Sequence, residues 1–77
     1  LRLVNVVAKE RRPVEAMPAL QAAMAALEAE HGGRARQVIR WSGTEPKLRL
    51  MVEAPEQALV DGALSTLEAA ARKDLGL

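Results

Sequence analysis

The stretch Gln37-Val38-Ile39-Arg40-Trp41-Ser42-Gly43-Thr44-Glu45-Pro46-Lys47-Leu48-Arg49-Leu50-Met51-Val52-Glu53-Ala54 reads as strand, loop and strand. In its second half Leu48, Leu50 and Val52 alternate with Lys47, Arg49 and Glu53, and a period of two places the first set inward and the second outward. Residues 37–41 form a second short apolar-rich run, so the two runs read as paired strands. The loop between them carries more chemistry than a chain reversal needs. Arg40 offers a planar, permanently charged fork that suits two phosphate oxygens, and Ser42 and Thr44 offer hydroxyl donors. Gly43 lets backbone N–H groups approach a ligand closely, and successive N–H groups in such a turn can converge as a nest. Pro46 stiffens the exit. These residues can form an anion cradle; they are also ordinary turn chemistry beside an exposed strand arginine, and composition alone does not separate the two.

Outward from this hairpin, residues 1–8 are rich in Val and Leu, lack Gly and Pro, and stop at Lys9-Glu10-Arg11-Arg12, the pattern of a strand followed by a turn. Pro13 and Pro18 each suit the first turn of a helix, where a missing N–H costs nothing. A short turn from Val14 therefore precedes a main helix that begins near Pro18 and runs to about Glu30. Met17, Leu20, Met24 and Leu27 recur at three- and four-residue steps and share its core face, and Gly32 and Gly33 stop it after His31. Downstream, Pro55 opens a last helix whose stripe is Leu59, Val60, Ala63, Leu64, Leu67 and Ala71, ending at Gly76. The order is β-α-β-β-α. The expected fold is α+β and two-layered, with both helices on one face of a small mixed sheet and the other face left open. If the first two strands are parallel neighbours, the first helix is a right-handed crossover between them.

The 77 residues, 49% apolar, support one modest core and one domain. A chain that begins at Leu1, already in strand pattern, is expected to be a segment of a longer protein. No apolar run approaches the roughly 18 residues that span a bilayer, and the first residues lack the order of a signal peptide. The absence of cysteine removes disulfides and thiolate chemistry and is compatible with a reducing cytoplasm. Eleven basic against ten acidic residues give a net charge of +1, which argues against a nucleic-acid footprint over the whole surface. Residues 1–40 nevertheless carry seven Lys/Arg and four Glu, whereas residues 41–77 carry four Lys/Arg and six Asp/Glu. That asymmetry favours an anionic ligand.

Arg40-Trp41-Ser42-Gly43-Thr44-Glu45-Pro46 followed by Arg49-Leu50-Met51-Val52-Glu53 resembles the phosphate-binding signature of the alpha-D-phosphohexomutase superfamily. The continuation is most similar to that of phosphoglucosamine mutases, Leu3-Val4-Asn5-Val6 and Glu28-Ala29-Glu30 fit the same domain, and the resemblance covers nearly all of the chain. It implies that residues 1–77 are the C-terminal, fourth domain of such an enzyme, with a TATA-box-binding-protein-like fold. It implies a loop that holds the phosphate not being transferred, within an enzyme that interconverts glucosamine 6-phosphate and glucosamine 1-phosphate through a bisphosphorylated intermediate. The phosphoserine and Mg²⁺ are then supplied by other domains, so this domain alone is expected to be inactive and to hold no metal. Its partners are a sugar phosphate and the other domains of the same enzyme, without nucleic acid or membrane.

Carried over residue by residue, Arg40, Ser42, Gly43 and Thr44 match the family's phosphate contacts. Arg49, on the strand leaving the loop, either reaches the same anion or is a solvated strand arginine. Glu45 and Pro46 are assigned to loop structure, because a carboxylate beside a phosphate is unfavourable unless it pairs with Arg40 or Lys47 or meets a substrate ammonium. His31 is explained by the helix end, and without Cys or converging carboxylates it does not make a zinc site. Trp41, the sole aromatic residue, leaves no stacking platform for single-stranded nucleic acid and is assigned to packing beside the loop or against a neighbouring domain. Alternatives are the same domain from a phosphoglucomutase or phosphomannomutase, and a non-catalytic module whose open sheet face docks a protein.

Overall fold

A computed structural model describes residues 2–77, and Leu1, which the sequence pattern placed in the first strand, lies outside them. Strand β1 spans Arg2–Val7, helix α1 Pro18–His31, strand β2 Arg36–Trp41, strand β3 Lys47–Glu53 and helix α2 Gln57–Leu75. One-turn 3₁₀ helices at Val14–Ala16 and Gly32–Arg34 flank α1. The β-α-β-β-α order and the two-layer α+β class are as the sequence pattern indicates.

The sheet order is β1-β3-β2, and both ladders are antiparallel, so the mixed sheet expected from the sequence is corrected to an antiparallel one. β1 and β2 do run in the same direction, but β3 lies between them and they are not neighbours. The physical reason is burial. Leu48, Leu50 and Val52 of β3 are inaccessible to solvent, and the central position is where a strand gains a partner on each side. Opposite them, the register sets Val6 to Leu48 and Val4 to Leu50 on one side, and Trp41 to Leu48, Ile39 to Leu50 and Gln37 to Val52 on the other. These residues make the inner face.

The inner face meets both helices. α2 lies across β1 and β3, while α1 packs chiefly along α2. The core joins Met17, Leu20 and Leu27 to Val60, Ala63, Leu64, Leu67 and Ala71 over Val6 and β3. Because α1 rides beside α2 rather than flat on the sheet, its buried stripe is narrow, and Met24 is only half-buried at the rim. Gly32 ends α1 at φ 57° and ψ −133°, a conformation that residues with a Cβ rarely adopt, and its N–H donates to the Glu28 carbonyl. Pro55 stands outside α2 rather than opening it: Glu56 is the N-cap, and its carbonyl accepts the Val60 N–H at 3.2 Å.

The α1 N-terminus has no capping side chain of its own. It is capped from the far end of the sequence by Asp74, in the last turn of α2, whose carboxylate accepts the Ala19 N–H at 3.2 Å and the Leu20 N–H at 2.8 Å. A carboxylate there meets both the orphan donors and the positive end of the helix dipole, so it locks the two helices together.

Candidate functional site

The outer face of the sheet carries the charged positions of the hairpin. Arg49, near the centre of β3, has Arg40 of β2 as its direct cross-strand partner on one side and Asn5 of β1 on the other. Directly opposite side chains in an antiparallel pair stand with their Cβ atoms about 5 Å apart, and like charges so placed repel. Among the described residues neither guanidinium has a hydrogen-bond or ion-pair partner, and the Arg49 Nε is buried without an acceptor. Two facing guanidiniums with no carboxylate between them are an arrangement that can accept an anion.

The loop begins where this row ends. Ser42 prolongs the ladder by donating its N–H to the Lys47 carbonyl at 2.9 Å, so it continues the alternation that turns Arg40 outward. The loop then closes on itself: the Thr44 N–H points to the Ser42 Oγ at 3.5 Å, and the Lys47 N–H donates to the Glu45 carbonyl at 2.7 Å. Gly43, Thr44 and Glu45 are exposed. The N–H groups of Gly43 and Glu45 meet no acceptor among the described residues. A Cβ on Gly43 would meet nothing within 4 Å, and the residue is not in the positive-φ region, so neither packing nor backbone conformation demands a glycine there. Its bareness leaves open space above a free N–H.

No residue of the loop has a left-handed backbone, so a nest of alternating right- and left-handed residues is not formed. The donors are separate N–H groups, hydroxyls and guanidiniums. Glu45 pairs with Lys47 at 3.2 Å rather than with Arg40 or Arg49. Trp41 turns inward against the core, and its Nε1–H donates to the Arg12 carbonyl at 2.6 Å.

That last contact belongs to a region the sequence pattern marked only as a turn. The segment between β1 and α1 lies against the β2–β3 loop: the Ala8 N–H donates to the Pro46 carbonyl at 2.8 Å, and Arg11 Nη2 donates to the Ser42 carbonyl at 2.7 Å. Arg11 is 31 residues from Ser42 along the chain. The run Lys9-Glu10-Arg11-Arg12 was visible as a charge cluster, but nothing local states which of its cations reaches the loop. Among the described residues no group of three or more His, Cys, Asp or Glu is placed to hold a metal ion, and no helix is long and apolar enough to cross a membrane.

A two-layer domain whose hairpin loop and outer arginines form one basic corner has relatives of known type. The family model "Phosphoglucomutase/phosphomannomutase, C-terminal domain" matches residues 3–70, and the chain belongs to that family. It is 43% identical over 60 residues to a phosphoglucosamine mutase of Lawsonia intracellularis, which covers 78% of this chain and 13% of the relative. It is 44% identical over 66 residues to the phosphoglucosamine mutase of Moorella thermoacetica (86% of this chain, 15% of the relative). With that of Frankia alni the identity is 45% over 73 residues, covering 95% and 16%. The chain thus spans about one-sixth or less of the length of these curated relatives.

Proposed function

We propose that residues 1–77 are the last domain of a longer phosphohexomutase and hold the non-reacting phosphate of its sugar substrate. The observation that carries this reading is the facing pair Arg40 and Arg49, unpaired among the described residues, beside a loop with free N–H groups. Arg40 supplies the bidentate fork, Ser42 and Thr44 hydroxyls, Gly43 a close-approaching N–H, and Arg49 the charge behind them. Glu45 and Pro46 shape the loop. Binding energy gathered at this remote phosphate positions the one being transferred, so the domain contributes orientation rather than bond-making.

The names of the relatives favour interconversion of glucosamine 6-phosphate and glucosamine 1-phosphate, with glucose or mannose phosphate as the alternative, and a cytoplasmic location belongs to the same proposal. The phosphoserine and Mg²⁺ of that chemistry belong to domains outside this chain. The test is Arg40→Ala in the complete enzyme: productive sugar-phosphate use falls tenfold or more, and unchanged kinetics would remove the assignment.

A second reading, a docking face for another part of the protein, is favoured by the row Leu3, Met51 and Val38, which adjoins the arginines on the outer face. Leu3 is 45% exposed. The two readings are compatible, because a phosphate clamped here has to face the rest of an enzyme.

A further inference from the structure

The family signature begins at Arg40 and does not include the β1–α1 segment, yet that segment sends a cation to the loop. We propose that Arg11 is a positioning residue of the phosphate loop, holding the Ser42–Gly43 peptide so that its N–H is presented to the phosphate monoester. This rests on the phosphate-binding reading given above and adds a residue to it.

The argument starts from the peptide unit. Arg11 Nη2 donates to the Ser42 carbonyl at 2.7 Å, a short, charge-assisted bond. A trans peptide sets its C=O and the following N–H on opposite sides, so fixing the Ser42 carbonyl toward Arg11 turns the Gly43 N–H away from Arg11, where it meets no acceptor among the described residues. Gly43 is the loop residue that offers a free N–H without a side chain to guard it.

Arg11 is itself held from both sides. Ala8 is bonded to Pro46 at 2.8 Å, and the Arg12 carbonyl takes the Trp41 indole N–H at 2.6 Å. The Arg12 guanidinium reaches the Asp74 carbonyl at 2.7 Å, which ties the segment to the end of α2. Two neighbouring cations are engaged elsewhere, Arg12 with the Asp74 carbonyl and Lys47 with Glu45, and of the run Lys9 to Arg12 it is the Arg11 side chain that bonds the loop. The Ser42 carbonyl is exposed enough for water to satisfy it, and restraining a long, exposed arginine costs side-chain entropy. A contact that fold stability does not require is explained by the orientation it gives the loop. A water on the same carbonyl would leave the peptide free to rotate.

The experiment compares Arg11→Met, Arg11→Lys and Arg40→Ala in the complete enzyme, measuring KM and kcat for glucosamine phosphate and competitive inhibition by inorganic phosphate, at low salt and at about 0.5 M salt. Arg11→Met is expected to raise KM and the phosphate inhibition constant together, roughly fivefold to twentyfold, with kcat changed less and Arg11→Lys recovering part of the loss. Because the effect passes through a hydrogen bond, the ratio to wild type persists at high salt, where the Debye length falls to a few ångströms. Melting temperatures near wild type show that the fold is intact; if Arg11→Met melts early, the Arg11→Lys variant carries the same comparison. A KM ratio that collapses to one at high salt overturns the positioning role in favour of diffuse charge. An unchanged KM in Arg11→Met alongside a raised KM in Arg40→Ala overturns this inference alone, and unchanged KM in both overturns the phosphate-binding reading beneath it.

Discussion

Arg40→Ala separates function from stability, because the two effects worked from the structure differ in size. Arg40 faces Arg49 directly across the ladder and has no partner among the described residues, so its removal breaks no intramolecular bond. Two unit charges about 7 Å apart in water repel by about 0.6 kcal/mol before salt screening, and relief of that repulsion is the gain. Against it stands the poorer strand preference of alanine, a few tenths of a kcal/mol at an exposed position. The net change in folding free energy is therefore within about 0.5 kcal/mol of zero. Phosphate binding loses a charge-assisted, bidentate contact of about 1.5–3 kcal/mol, or about 10- to 150-fold in affinity. Unfolding of the 77-residue chain in urea, followed through Trp41, its only aromatic residue, measures the first quantity. Steady-state kinetics of the complete enzyme measure the second. A variant that loses more than 1 kcal/mol of stability while KM stays at the wild-type value would refute the reasoning, since Arg40 would then be a structural residue.

Asp74→Ala removes the cross-chain cap of α1 and two bonds to backbone N–H groups, partly offset by relief of a negative charge in the last turn of α2, for a net loss of about 2 kcal/mol. In a domain of this size that lowers the melting temperature by roughly 8–16 °C, and a shift under 2 °C would show that the cap is idle. Leu50→Ala, at a solvent-inaccessible position of the central strand, is expected to cost about 2–5 kcal/mol, measured by the same urea titration. Gly32→Ala costs about 1–3 kcal/mol from backbone conformation alone, because a Cβ there meets nothing within 4 Å while φ is 57°. The matching Gly43→Ala change leaves stability near wild type, since that residue is neither at positive φ nor packed, and is expected to raise KM in the complete enzyme through crowding of the anion.

The elements were legible because their signals are local. The alternation from Lys47 to Glu53 states both that a strand forms and which side of it is buried, and Leu48, Leu50 and Val52 are the inaccessible set. Gly32 and Gly76 end helices by the one property that distinguishes glycine, tolerance of positive φ. The donor groups of the loop from Arg40 to Pro46 were legible too, because those residue types sit side by side in the sequence. Pairing order was not. Whether β3 enters between β1 and β2 or beside them depends on which strand buries most when sheet and helices close together, a comparison that no stretch of sequence contains.

The same division runs through the site. The sequence determined the secondary elements, the inward and outward faces of each strand and the donors of the loop, since each follows from residue type and a short-range period. Only the tertiary structure decided that Arg40 faces Arg49 in the ladder, that Asp74 caps a helix 55 residues away, and that Arg11 rather than Lys9 or Arg12 reaches Ser42. Those contacts join positions 31 to 55 residues apart, or depend on the register of one strand against another. They exist because burying one apolar face fixes the whole chain at once, and polar side chains then find whichever backbone group that packing has brought within reach.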